Sequence, residues 1–159
     1  MSRPLIIGEF RRLLDDRFRL SIPTELAEPL AGSSEECILA KEQVGALSLW
    51  NSSDWGHKLD EGVRLVRDKM QAGRLDGRIE DVQMLGRLLS TRHTKVKLAG
   101  RSRLVIPEGF REFLGVEPGS ELLVIGAALC IELWQPAAWF AYIQQKMPDF
   151  RRLFDNLSG

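Results

Sequence analysis

The chain has 159 residues, 44% of them hydrophobic, and its 22 lysines and arginines are balanced by 22 aspartates and glutamates, a zero net charge that by itself argues against nucleic acid. That length and apolar content suffice for one compact domain or two small intertwined ones, and they argue against disorder. No apolar run approaches the roughly 18 residues of a membrane span and no basic-then-apolar leader opens the chain, so a cytosolic protein is expected.

Taken in order, residues 9–14 read as a strand, Asp15-Asp16 as its turn and residues 17–22 as a returning strand, which makes a hairpin. Alternation along a strand sends Phe10, Leu14, Phe18, Leu20 and Ile22 toward a core, and Arg11, Arg17, Arg19 and Ser21 away from it. Arg12 has no place in that pattern. Pro23 stops the ladder and opens a short helix with an apolar stripe of Leu26 and Leu30, ending at Gly32. Strands over 37–41 and 46–50 follow, joined by a loop bearing Gly45, and then a helix start at Asn51-Ser52-Ser53-Asp54. Trp55, Leu59, Val63, Val66 and Met70 recur at helical spacing. Ile79, Val82, Leu85 and Leu88 do so again after Gly73 and Gly77, giving two amphipathic helices.

The opening pattern then returns. Leu14-Asp15-Asp16-Arg17-Phe18-Arg19-Leu20-Ser21-Ile22-Pro23 recurs 84 residues later as Leu98-Ala99-Gly100-Arg101-Ser102-Arg103-Leu104-Val105-Ile106-Pro107. The same ungapped offset pairs Glu28 with Glu112, Leu30 with Leu114, Leu39 with Leu123, Leu49 with Leu133, Trp50 with Trp134 and Trp55 with Trp139. The second copy points Val96, Leu98, Leu104 and Ile106 inward, and Lys95, Lys97, Arg101 and Arg103 outward. Its helix after Pro107 carries Phe110, Phe113 and Leu114 and ends at Gly115. Strands over 122–125 and 129–134 come next, then a helix from Pro136 with Trp139, Ile143 and Met147. Beyond Pro148, Phe150, Leu153, Phe154 and Leu157 form a last amphipathic stripe, whose apolar face lies either on its own core or on a neighbour. The expected division is therefore a ββαββ repeat over 6–57, a helical linker over 58–91, a second repeat over 92–147 and a C-terminal helix over 148–159. Cys37 and Cys130 fall in strands at non-equivalent places, so buried free thiols are expected rather than a disulfide or a zinc cluster.

Charge is unevenly spread. Residues 92–107 carry Arg92, Lys95, Lys97, Arg101 and Arg103 and no acid, whereas 24–57 hold six acids against Lys41 alone. A two-stranded ribbon is narrow enough to enter a major groove, where arginines reach phosphates or fork onto guanine O6 and N7. Arg17, Arg19, Arg101 and Arg103 are the candidates for that contact, with Arg11, Lys95 and Lys97 as phosphate positioners. The plainer reading is that Asp15 or Asp16 pairs with Arg17 or Arg19 and merely fixes a surface turn. A protein-interaction oligomer whose basic face meets an acidic protein is the alternative from another class. An enzyme is not indicated: His57 and His93 stand near no Ser or Cys in a triad-like or metal-ligand arrangement, and no glycine-rich phosphate cradle joins a strand to a helix. No cofactor, metal or small-molecule substrate is called for.

Gly8-Glu9-Phe10, the Asp15-x-x-x-Arg19 spacing, Leu20-Ser21-Ile22-Pro23, Arg101-Ser102-Arg103-Leu104-Val105-Ile106-Pro107, Phe110-Arg111-Glu112-Phe113-Leu114-Gly115-Val116 and Ile131-Glu132-Leu133-Trp134 leading to Trp139 resemble the MraZ family. The resemblance implies an α+β fold of two SpoVT/AbrB-like swapped-hairpin repeats in a pseudo-twofold, β-barrel-like core. It also implies a homo-oligomeric ring and binding of double-stranded promoter DNA at repeated boxes of the bacterial division and cell-wall gene cluster, with repression as the expected sign. Cytoplasmic, nucleoid-associated localisation follows from the same likeness. The family's Asp-x-x-x-Arg signature maps onto Asp15 and Arg19, Asp15 orienting the turn; in the second half the aspartate position is Ala99, so the two hairpins are not equivalent. The runner-up among DNA binders is an AbrB-like antitoxin or transition-state regulator.

Overall fold

The computed structural model describes residues 4–31, 35–100 and 102–159; Arg101 and the expected helix end at Gly32 lie outside the described residues. The elements are β1 (Ile6–Leu13), β2 (Arg19–Ser21), α1 (Thr24–Ala31), β3 (Glu36–Gln43), β4 (Ala46–Asn51), α2 (Ser52–Gln71), α3 (Ile79–Thr91), β5 (His93–Lys97), β6 (Arg103–Val105), α4 (Glu108–Leu114), β7 (Glu121–Ala128), β8 (Ile131–Trp134), α5 (Pro136–Lys146) and α6 (Phe150–Ser158). Both proline-opened helices and both late helix starts stand where the sequence places them. Asn51 caps α2 by accepting from the backbone N–H of Ser53 and Asp54, and Gln135 caps α5 through Ala138. Gly115 ends α4 in the left-handed region at φ 72°. Leu129, expected in a strand, instead sits in the β7–β8 turn.

The fold is α+β and antiparallel, but it is not a closed barrel. Six strands form one open sheet in the order β1-β7-β8-β4-β3-β5, and β2 and β6 form a separate two-stranded ribbon. The expected hairpin is likewise revised, because β1 ladders with β7 and β2 with β6 rather than with each other. Length explains this. β2 and β6 are three residues each and run into Pro23 and Pro107, which have no backbone donor, so the ribbon cannot extend to close the sheet's edges. Each edge strand of the large sheet comes from the opposite half: β1 lies beside β7, and β5 beside β3.

The registers disclose the symmetry. Leu20 pairs with Leu104 in the ribbon and Ser48 with Glu132 in the large sheet, and in both cases the partners stand 84 residues apart, so exchanging the repeats returns each pair to itself. A pseudo-twofold axis therefore passes through the ribbon and out through the middle of the sheet. The offset is not uniform, however. β7 is one residue out of step, so the counterpart of Leu39 is Val124 and not Leu123: Leu39 and Val124 lie in the shared core, while Leu123 packs on the outer face. A bulge in β3 between Lys41 and Gln43 holds the extra residue on the first side.

Between the two sheets lies one core, with Leu20, Ile22, Leu104 and Ile106 from the ribbon meeting Leu39, Leu47, Leu49, Val124, Ile131 and Leu133 from the large sheet. α1 and α4 close it with Leu26, Leu30, Phe110 and Leu114. Arg12, which alternation leaves without a place, is half-buried on the core side of β1. Its guanidinium lies 5.5 Å from the Phe10 ring centroid and donates to the Arg11 carbonyl, an arginine that covers apolar surface and keeps its head at the rim. Cys37 and Cys130 are buried and free, and burial first of all pushes their thiols up to about 11 and about 12. On the outer face of the sheet, Trp134 packs with Trp139 and Tyr142 of α5, and Trp50 with Trp55 of α2. Among the described residues no side chain of α2, α3, α5 or α6 is buried. The α6 stripe does not pack on its own core: Phe150, Leu153, Phe154 and Leu157 are 57–80% exposed.

Candidate nucleic-acid interface

Because Leu20 and Leu104 point into the core, the other face of the ribbon presents the residues that alternate with them. Register sets Arg19 opposite Val105 and Ser21 opposite Arg103, so Arg19 and Arg103 form a diagonal about the pseudo-twofold axis. Diagonal neighbours on an antiparallel pair are roughly 7–8 Å apart, within reach of each other's long side chains. The four ribbon positions thus offer two cations, one hydroxyl and one apolar side chain on a strip two strands wide. Ribbons of this width fit a major groove.

The two turns feeding the ribbon share a backbone and differ in chemistry. Phe18 and Ser102, equivalent in the repeats, both take positive φ, 58° and 56°. The carbonyl of each accepts from an isoleucine of the opposite half, Phe18 from Ile106 and Ser102 from Ile22, both at 2.9 Å. In the first turn Asp15 Oδ1 accepts from the backbone N–H of Arg17 at 2.8 Å and of Arg19 at 2.9 Å, while Oδ2 accepts from Arg19 Nε at 2.8 Å. The Arg19 N–H, with the Arg17 N–H and the Arg19 guanidinium adding to it, holds the Asp15 carboxyl below the usual carboxylate range. Arg19 is 37% exposed and still has two terminal amino groups to offer, whereas Arg17 is exposed with its side chain unpartnered among the described residues.

Ala99 cannot repeat this. There the Arg103 N–H donates to the Ala99 carbonyl at 3.0 Å, and Arg103 Nε reaches only the Gly100 carbonyl, at 3.5 Å, a marginal contact. Among the described residues no carboxylate pairs with Arg103. Asp15 thus pairs with Arg19 and at the same time holds the turn through two backbone N–H groups.

The supporting cations are less concentrated. Arg11 and Lys95 sit on the edge strands β1 and β5 and leave the core from the large sheet, not from the ribbon. Each has an acid nearby, Glu121 at 3.5 Å from Arg11 and Glu36 at 3.8 Å from Lys95. Lys97 is exposed two residues before the second turn. A residue not singled out by the sequence belongs beside the first turn: the Arg111 guanidinium of α4 lies 4.1 Å from the centroid of the Phe18 ring. Only the three-dimensional crossing of the repeats brings these two together, so no local spacing signals the contact.

Elsewhere the surface is of another kind. On the axis at the far side of the large sheet, Ser48 donates to Glu42, Trp50 Nε1 donates to Ser48 and Trp134 Nε1 donates to Glu132, whose carboxyl burial pushes up. A cavity of about 430 Å³ between Leu5, Ile6, Pro29, Trp50, Trp55 and Leu129 is mostly apolar and carries Glu42, Asp54 and Arg92, the last paired with Glu42 at 3.5 Å. Among the described residues no group of three or more His, Cys, Asp or Glu could hold a metal ion, and no helix is long and apolar enough to cross a membrane.

Fold and site define a class, that of duplicated α+β chains presenting arginines on a short ribbon shared by the two halves. Residues 90–157 match the family model described as "MraZ protein, putative antitoxin-like". The Transcriptional regulator MraZ of Alkaliphilus metalliredigens is 28% identical over 138 residues, covering 87% of this chain and 86% of the relative. That of Clostridium beijerinckii is 23% identical over 154 residues, covering 97% of each. A solution structure from Pyrococcus horikoshii overlaps 85% of this chain and 92% of its own at 11% identity with a TM-score of 0.32, too low to carry an argument. The chain is similar to these MraZ proteins over most of its length, at modest identity. The names of these relatives are those of regulators, not of enzymes.

Proposed function

We propose that this chain is a sequence-specific, DNA-binding transcriptional regulator, a repressor of the bacterial division and cell-wall gene cluster, acting in the cytoplasm at the nucleoid. The observation that carries the reading is the diagonal of Arg19 and Arg103 on the outer face of the β2–β6 ribbon, with Arg17 in the turn that precedes β2. The ribbon enters the major groove, Arg17, Arg19, Arg101 and Arg103 contact bases and phosphates, and Arg11, Lys95 and Lys97 add attraction from the flanks. The strand exchange between halves supports two SpoVT/AbrB-like swapped-hairpin repeats, with 6–57 and 92–147 as the repeats, 58–91 as the helical linker and 148–159 as the terminal helix.

One ribbon makes few base contacts, so copies must act together. The uncovered stripe of α6 supports a homo-oligomer, and a head-to-tail contact that closes on itself gives a ring. Tethered ribbons then bind repeated promoter boxes by raised effective concentration. The antitoxin-like description of the family model favours a second reading, an AbrB-like antitoxin or transition-state regulator.

Titration of duplexes of equal length bearing one or three boxes tests the proposal. Three boxes should bind on the order of 100-fold more tightly than one. Raising salt from 50 to 200 mM should weaken binding by roughly 10² to 10⁴, as expected when four to seven phosphates are neutralised. Equal affinity for one box and three would remove the multimer argument, and a salt-independent affinity would remove the ribbon.

A further inference from the structure

Both turns accept a backbone bond from the opposite repeat, but the first is held by side-chain contacts as well. Phe18 keeps a bulky side chain at φ 58°, a backbone region unfavourable for an aromatic residue. Three contacts close around it: the Phe18 carbonyl accepts from the Ile106 N–H at 2.9 Å, the Ile106 carbonyl accepts from Arg111 Nε at 2.8 Å, and the Arg111 guanidinium lies 4.1 Å over the Phe18 ring. In the other half the first of these recurs, from Ile22 to Ser102, but the residue equivalent to Arg111 is Ala27 and the one equivalent to Phe18 is Ser102. Neither member of that equivalent pair supplies a cation or a ring.

We propose that Arg111 is a positioning residue for the DNA-contacting turn, holding Phe18 in its left-handed conformation and thereby fixing the directions of Arg17 and Arg19. This rests on the DNA-binding reading above and deepens it. Phe18 is flanked by the two arginines, so rotation of its peptide units would swing both side chains and misalign the bonds that Asp15 makes to their backbone N–H groups. A planar guanidinium stacks on the ring while its Nε reaches a carbonyl, a pair of contacts that a lysine ammonium cannot make together. The clamp also couples the halves, since a helix of the second repeat sets the turn of the first. The second turn has Ala99 for the aspartate and Ser102 for the ring, so neither of these side-chain contacts is open to it.

The test compares Arg111→Lys, Arg111→Leu, Phe18→Leu and the Arg111→Lys/Phe18→Leu double variant in the full chain. Two readouts are taken: backbone amide hydrogen exchange, and affinity for the duplex upstream of the protein's own gene. Arg111→Lys should speed exchange at residues 17–19 by about 10-fold, the weight of a partly desolvated guanidinium–ring contact, with Ser102 and Arg103 unchanged. Affinity should fall by a similar factor of about 10 although the charge is kept, and the salt dependence should be unaltered. Phe18→Leu, which leaves α4 intact, should reproduce both effects, and the double variant should lose no more than either single one. Unchanged exchange at 17–19 in Arg111→Lys and in Phe18→Leu would overturn the proposal. So would full affinity in Arg111→Lys combined with a salt slope lower by about one in Arg111→Leu, the mark of a phosphate contact. If the parent protein binds no duplex, the DNA-binding reading fails, and the exchange data still decide whether the clamp exists.

Discussion

Replacing Arg17 and Arg19 together by alanine lowers affinity for the promoter duplex by at least roughly 30-fold, with melting temperature and oligomeric state close to those of the parent. Each good bidentate arginine–guanine contact contributes about 1–3 kcal/mol of discrimination, and two of them lost together correspond to a factor between roughly 30 and 10⁴. The fold should tolerate the change because neither side chain is buried and Asp15 keeps its two backbone donors at 2.8 and 2.9 Å after the Arg19 guanidinium is gone. Fluorescence anisotropy against specific and scrambled duplexes reads the effect. Specific binding should fall toward the scrambled level, since the loss falls on base contacts more than on phosphate contacts. Undiminished affinity for the specific duplex in a folded double variant would place the interface elsewhere on the molecule.

A second large effect is expected inside. Leu104→Ala should destabilise the fold by about 2–5 kcal/mol, the range for a fully buried leucine cut to alanine. Leu104 is 0% exposed, faces Leu20 across the ribbon and stands on the pseudo-twofold axis, where ribbon and large sheet share their core. No neighbour can close the gap without moving a strand that is held by its register to the other repeat. Urea unfolding of the parent and the variant measures the difference; a loss below about 1 kcal/mol would mean that the ribbon is not seated on the core as described.

Much of this architecture is legible locally. The proline after each short strand, the cap at Asn51, Pro136 at the opening of α5 and the helix-ending Gly115 are short-range chemistry, and the helices and most strands follow from them. Partners are another matter. A period of two states that residues 9–14 form a strand but not that β7, more than a hundred positions away, lies beside it, so two self-paired hairpins are the natural expectation, the barrel-like closure being what the family resemblance implies. The single-residue slip of β7 escapes for a related reason: Leu123 and Val124 are both apolar, and only their faces tell which of them matches Leu39. Arg12 defeats binary patterning because an arginine stem can fill a half-buried place and its head can rest on Phe10. At the site, the arginines and Asp15 are visible as a repeated motif with one departure at Ala99. Arg111 is not, since its contact with Phe18 depends on where α4 crosses the turn of the other half.

The central claim is that the ribbon face is where DNA sits. Arginine-selective dicarbonyl labelling, read by mass spectrometry with and without the promoter duplex, tests it most directly because it reports on every arginine at once. Bound duplex should shield Arg17, Arg19, Arg101 and Arg103, and leave Arg64, Arg67, Arg74 and Arg78 on the α2–α3 arm labelled as in the free protein. Shielding of the arm arginines, with those of the ribbon labelled to the same extent in both states, would contradict the account.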